Sequence, residues 1–136
     1  MIAEQGHLIG NHTWRHVQVT SLPKEEAEEE ILAVSSLVEE LTGNGTSYVR
    51  PPFGIWDPEL EEELDMIPVL WTIDTLDWTT QNVDWIVEKT VQDAGENDII
   101  LLHDASESSV KAAFAIIDEL GQEGYTFVTV EEILME

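Results

Sequence analysis

An α/β fold is predicted by three features of this 136-residue sequence. Short apolar runs alternate with amphipathic helical patterns along its length, the signature of strands and helices following one another. The run Ile99-Ile100-Leu101-Leu102 carries no polar residue at alternate positions, as a parallel strand covered on both faces requires. Residues able to do chemistry follow the ends of these runs: His12 and His16, then Arg50, Asp74 and His103. In α/β barrels the carboxyl ends of parallel strands lie on one face where loops converge, so four such clusters define a candidate site.

Taken in order, His7 to Gly10 reads as a short strand ahead of the two histidines. Lys24 to Leu41 reads as an amphipathic helix, with Ile31, Val34, Leu37, Val38 and Leu41 spaced three and four apart, glutamates massed at its start and Gly43 past its end. Ser47 to Val49 is the next strand. Asp57-Pro58 then opens a short helix over Glu59 to Leu64, because aspartate accepts from orphan backbone amides and proline suits the first helical position. Ile67 to Ile73 reads as a strand, and Asn82 caps a helix through Ala94 with Val83, Ile86, Val87, Thr90 and Val91 on one side. Asp98 to Leu102 is the apolar strand already described. A fourth helix, Ser109 to Leu120, turns Val110, Ala113, Phe114, Ile117 and Leu120 inward and stops at Gly121, and Thr126 to Val130 is a last strand. No repeat, linker or second domain interrupts the pattern, so residues 1–136 read as a single domain.

Composition narrows the partners. With 29 acidic residues against 5 basic ones the net charge is -24, so phosphate-bearing partners are repelled over most of the surface. Nucleic acid is not an expected partner. No apolar run is long enough to insert in a membrane, and residues 1–10 lack the charged start and apolar core of a secretion signal. There are 0 cysteines, which excludes disulfides, thiol catalysis and thiolate metal sites.

The polar clusters suggest a metal and an acid. His12 and His16, at an i, i+4 spacing, can point the same way from a helical turn and offer two imidazole nitrogens to a zinc-like ion. A zincin is disfavoured, since its HExxH motif needs glutamate where this chain has Thr13. Arg50 stands before Pro51-Pro52, which stiffen the backbone, and its fork of donors suits a carboxylate. His103 ends a buried strand beside Asp104, where burial and a neighbouring carboxylate act on an imidazole in opposite directions.

Together and in order, GNHTWRH, RPPFG, DTLDW and LLHD resemble the motifs of the polysaccharide deacetylase family, the NodB-homology domain of carbohydrate esterase family 4. The resemblance covers nearly the whole chain. It implies a distorted (β/α) barrel and a metal-dependent hydrolase that removes N-acetyl groups from N-acetylglucosamine polymers such as chitin and peptidoglycan. It further implies that His12 and His16 are ligands to a divalent ion, zinc first and cobalt, nickel or manganese after it. His103 is implied as the general acid for the leaving amine, Asp74 as the carboxylate that orients it, and Arg50 as the group that orients the base. Phe53, through its backbone amide, Trp78 and Leu101 are implied as substrate contacts. An extracellular or cell-envelope location follows from the family alone.

One family motif, of the form TFDDG, has no counterpart here; it supplies the catalytic base and a third metal ligand from a strand ahead of the histidine motif. The sequence reading is therefore of a NodB-like domain lacking about its first two strands, with weak metal binding and little turnover by itself. Two alternatives belong beside the hydrolase: a non-catalytic relative that binds glycans, and a fragment completed by a partner chain.

Overall fold

In the computed structural model, which describes residues 1–135, the chain divides into two units, Met1–Leu70 and Trp71–Glu136. In the first unit α1 (Lys24–Thr42) is followed by β1 (Tyr48–Val49), α2 (Pro58–Leu64) and β2 (Ile67–Pro68). Asp57 caps α2 by accepting from the Glu59 amide, with Pro58 at the first position, and α1 ends on Gly43 at φ 90°, a left-handed conformation that glycine adopts without strain. β1 and β2 run parallel, Tyr48 opposite Ile67 and Val49 opposite Pro68, and Asn11 pairs with Val49 on the other side, also parallel. Val19, Ala27, Ile31, Val49, Leu60 and Met66 form the core, with Leu22, Trp56 and Leu64 against it.

The second unit contains β3 (Ile73–Asp74), α3 (Val83–Asp93), β4 (Ile100–Leu101), α4 (Glu107–Gln122) and α5 (Val130–Leu134). β3 and β4 are parallel, with Asp74 opposite Leu101. α3 starts at Asn82, whose side chain accepts from the Trp85 amide, and α4 starts at Ser106, which accepts from the Ser109 amide. Its core is Ile86, Val87, Ala112, Ile116 and Leu120, where α3 and α4 pack.

The parallel pairing and the helix positions agree with an α/β class; the strands differ from expectation. His7 to Gly10 is not a strand, because ladder partners begin only at Asn11, whose amide donates to the Tyr48 carbonyl at 2.8 Å. Ile67 to Ile73 is not one strand but two, β2 and β3, each with its own partner. Pro68 has no amide hydrogen, and the Arg50 side chain occupies the Val69 and Leu70 carbonyls, so the ladder is broken there. Among the described residues Thr126 to Thr129 pairs with no strand, and Thr129 instead caps α5 by accepting from the Glu132 amide.

Two helix faces also differ. α4 buries Ser109, Ala112, Ile116 and Leu120, leaving the expected Phe114 72% exposed and Val110 and Ile117 exposed. Both stripes satisfy a spacing of three and four; the one with small residues lets α3 approach closely. On α1 the buried residues are Ala27, Glu30 and Ile31, while Leu37 and Leu41 are exposed.

Candidate active site

In the first unit the imidazole pair forms, but not from a helical turn. His12 and His16 lie outside any helix, and Thr13 (φ 63°) and His16 (φ 54°) are left-handed, a conformation that costs a non-glycine residue about 1–2 kcal/mol. Helical spacing fails because these two left-handed residues interrupt any right-handed turn. Even so the rings meet edge to face with centroids 4.8 Å apart, and His16 meets Phe53 the same way at 5.1 Å.

Asn11 and Glu30 hold that loop in its strained form. The fully buried Asn11 amide donates to the Ile31 carbonyl (2.8 Å) and to Thr46 Oγ1 (3.1 Å), while its Oδ1 accepts from the Thr13 amide at 3.0 Å. Glu30 accepts from the Arg15 amide and from Arg15 Nε, both at 2.8 Å. Burial by itself pushes the Glu30 carboxyl up, but these bonds and the Arg15 charge outweigh it and hold the group below the ordinary carboxylate range.

The pair fits two positions on a divalent ion. His12 Nδ1 donates to the Arg50 carbonyl at 2.5 Å, and since a carbonyl only accepts, Nδ1 carries the proton and Nε2 keeps its lone pair. This is the backbone-anchored imidazole common at metal ligands. Among the described residues no group of three or more His, Cys, Asp or Glu could hold a metal, so these two imidazoles are the fit and no closed ligand set is formed.

Arg50 follows β1 and donates from Nε to the Val69 carbonyl (2.7 Å) and from Nη2 to the Leu70 carbonyl (3.2 Å). Burial pushes its pKa down, yet guanidinium starts so high that it stays charged. Phe53 sits on the 3₁₀ turn Pro52–Gly54 at φ 63°, with its ring largely exposed.

In the second unit the expected pairing of Asp74 with His103 is replaced. Asp77 is the partner: its Oδ2 accepts from the His103 backbone amide at 2.8 Å and its Oδ1 from His103 Nδ1 at 2.9 Å. Asp74 instead accepts the Leu76 amide at 2.9 Å on its own Oδ1, and its carbonyl takes Lys89 Nζ at 2.9 Å. Register is the reason. Asp74 is fixed opposite Leu101, and the left-handed Leu76 (φ 56°) then turns the chain into the 3₁₀ turn Asp77–Thr79, bringing Asp77 to His103.

The Asp77 side chain is 0% exposed and His103 47% exposed, so one partner is a buried anchor and the other is open to solvent. Burial pushes the Asp77 carboxyl up, but bonds from the His103 ring, the His103 amide and the Ser109 hydroxyl outweigh it and hold the group below the usual range. An ionised carboxylate only accepts, so His103 Nδ1 carries the proton and Nε2 is the nitrogen left for chemistry. Thr75, fully buried, ties the turn to the strand: its hydroxyl donates to the Leu101 carbonyl (2.9 Å) and accepts from the Asp77 amide (3.3 Å).

Trp78 is exposed on the turn, whereas Leu101 is buried in β4. The unit also holds a cavity of about 860 Å³ lined by residues such as Ile100, Leu102, Ile116 and Phe127, and by neither Trp78 nor Leu101. Asp77, Asn11 and Glu30 are the functional side chains the sequence reading does not assign. Only Asp77 had a usable signal, its place within DTLDW.

Parallel strand pairs, with an imidazole pair in one unit and a carboxylate-anchored imidazole in the other, define an α/β protein with histidines grouped at its strand ends. The polysaccharide deacetylase family model matches residues 1–69. The chain belongs to that family. It is 35% identical over 130 residues to the peptidoglycan-N-acetylmuramic acid deacetylase PdaC of Bacillus subtilis, covering 96% of this chain and 28% of that one. It is 31% identical over 133 residues to the peptidoglycan-N-acetylglucosamine deacetylase PgdA of Listeria monocytogenes, covering 98% of this chain and 28% of that one. The chain thus spans about a quarter of the length of these curated relatives. Among solved structures, Bacillus subtilis PdaC superimposes with a TM-score of 0.94 at 34% identity, over 98% of this chain and 66% of that one. A T48 deacetylase solved with substrate gives 0.91 at 34% identity, over 98% and 67%. The fold is of the α/β class of the NodB-type deacetylases to which these structures belong.

Proposed function

We propose that this protein is a metal-dependent hydrolase that removes N-acetyl groups from a glycan, with the amino sugars of peptidoglycan as the first substrate class and chitin as the second. The observation that carries the reading is His103, held through both its backbone amide and its ring by a buried, ionised Asp77.

Amide hydrolysis forms a carbon–oxygen bond from water, breaks the carbon–nitrogen bond and releases acetate, and the departing nitrogen must gain a proton. His103 Nε2 is the atom proposed to deliver it, because Asp77 takes the bond from Nδ1 and so fixes the ring with Nε2 facing the reaction. His12 and His16 are proposed to hold the ion, through His12 Nε2, since Nδ1 donates to the Arg50 carbonyl, and through the His16 ring beside it. A divalent ion there, zinc first and cobalt, nickel or manganese after it, supplies polarisation of the acyl oxygen and a more acidic water. Phe53 and Trp78, both exposed on turns beside the motif residues, are proposed substrate contacts. The names of the peptidoglycan deacetylases of Bacillus and Listeria support the substrate class.

The test is zinc titration by calorimetry, with His12→Ala as control and acetate release from peptidoglycan and chitin oligosaccharides read in parallel. Zinc binding lost in His12→Ala, with acetate released, supports the reading. Binding unchanged in His12→Ala removes the metal assignment, and saccharide binding without metal or acetate release points instead to a non-catalytic glycan-binding relative.

A further inference from the structure

Backbone pairing of β3 with β4 ends at Asp74 and Leu101, and from there side chains join the two segments. Thr75 Oγ1 donates to the Leu101 carbonyl at 2.9 Å and accepts from the Asp77 backbone amide at 3.3 Å. Asp77 then accepts from the His103 amide on Oδ2 at 2.8 Å and from His103 Nδ1 on Oδ1 at 2.9 Å. Thr75 and Asp77 are two residues apart, as are Leu101 and His103, so these bonds close a ring that carries the strand register out to the imidazole.

The backbone between Thr75 and Asp77 is the weak side of that ring. Leu76 is left-handed at φ 56°, a conformation that a residue with a side chain adopts only under strain. The Asp77 amide opens the 3₁₀ turn Asp77–Thr79, where no earlier carbonyl of the turn can accept from it. Thr75 Oγ1 is the acceptor it uses. The hydroxyl has one proton, which goes to Leu101, so its donor and acceptor roles are both fixed. Thr75 is 0% exposed and Asp77 2%, so neither bond is open to exchange with solvent.

We propose that Thr75 is a positioning residue for His103: its hydroxyl pins the Asp77 backbone to β4 and so sets the carboxylate that holds the imidazole with its proton on Nδ1. The effect on turnover rests on the reading of His103 as the acid, but the tautomer is measured without it. Thr75 acts through Asp77 and is not itself a catalytic residue.

The decisive measurement is NMR of the His103 Nδ1 proton and ring nitrogens on the full chain, in Thr75→Val, Thr75→Ser and Thr90→Val. Valine keeps the branched shape of threonine without the hydroxyl, and serine keeps the hydroxyl without the methyl. Thr90 is the control: it lies in the same unit, is also 0% exposed, and its hydroxyl bonds to no partner among the described residues. In the parent chain the expected signal is a slowly exchanging Nδ1 proton. Thr75→Val is expected to shift or broaden it and mix the two tautomers, while Thr75→Ser and Thr90→Val keep it. In acetate release, Thr75→Val is expected to lower kcat about tenfold with KM within about twofold, and Thr75→Ser to stay within about threefold of the parent. An unchanged Nδ1 signal in a folded Thr75→Val overturns the proposal. So does an equal change in Thr90→Val, since loss of any buried hydroxyl would then suffice, and so does a Thr75→Ser that loses the signal as Thr75→Val does. Should Thr75→Val fail to fold, the Asp77 amide of the parent chain decides: protection from hydrogen exchange of at least about tenfold supports the bond to Thr75, and exchange at the rate of an open amide overturns it. If Asp77→Asn leaves turnover intact, the acid assignment fails, while the effect of Thr75 on the Nδ1 proton is still decided by NMR.

Discussion

Asp77 takes two hydrogen bonds from one residue, His103, inside the protein, and this decides how it responds to substitution and to pH. Asp77→Asn keeps the shape but puts an amide where only acceptors fit, so one contact to His103 becomes donor against donor. Acetate release is expected to fall about 100-fold or more, whereas Asp74→Asn, which disturbs only the Leu76 turn, is expected to cost less than about tenfold. Equal losses in the two variants would return the orienting role to Asp74. The same carboxylate sets a pH signature. Its folded pKa is depressed, so its contribution to stability is complete above the ordinary aspartate value of about 3.9 and is lost as pH falls through the lower folded value. Urea midpoints of the parent and Asp77→Asn are therefore expected to differ at pH 6 and to converge below about pH 4. A gap that stays constant down to pH 3 would contradict the depressed carboxyl.

At the scale of helices and strands, what is legible in sequence is what is decided locally. Asp57 and Asn82 cap the helices they were expected to cap, because the side chain and the amide it accepts from lie two or three residues apart. Strand limits are decided by partners far along the chain, and so the break between β2 and β3 could not be read from Ile67 to Ile73 alone. The aspartate pairing was missed for the same reason: the choice between Asp74 and Asp77 depends on the register with Leu101, a contact 27 residues away. The helix face of α4 was ambiguous because two stripes share one period, and packing chose the smaller residues. That choice is testable. Ala112 is 0% exposed between α3 and α4, so Ala112→Leu is expected to cost about 1–3 kcal/mol by overpacking. Phe114→Ser, on the exposed stripe, is expected to change urea stability by less than about 0.5 kcal/mol. The reverse order would place α4 on its other face.

For the molecule as a whole, 5 basic residues face 29 acidic ones, and the structure shows the basic ones already committed. Arg15 pairs with Glu30, Lys24 with Glu59 and Glu63, Lys89 with Asp93, Lys111 with Glu107, and Arg50 donates to two carbonyls. The surplus of 24 negative charges has only solvent cations to balance it. Crowding of like charges is felt locally: Glu28 has its pKa raised, first by a hydrogen bond shared with Glu63, then by burial and by the charge of Glu63. Salt acts on both signs of interaction. It weakens the exposed ion pairs, worth about 0–1 kcal/mol each, and it weakens the repulsion, which sums over every acidic pair within a screening length. That length falls from about 30 Å at 0.01 M to about 10 Å at 0.1 M, so the long-range repulsion is lost first while contacts near 3 Å persist. The balance favours stabilisation. Thermal midpoints are expected to rise with sodium chloride from 0.01 M to 0.5 M, most steeply below 0.1 M, and Glu28→Gln is expected to raise the midpoint at 0.01 M while making little difference at 0.5 M. A midpoint that falls as salt is added would mean that the few ion pairs, and not the acidic surplus, govern the stability of this chain.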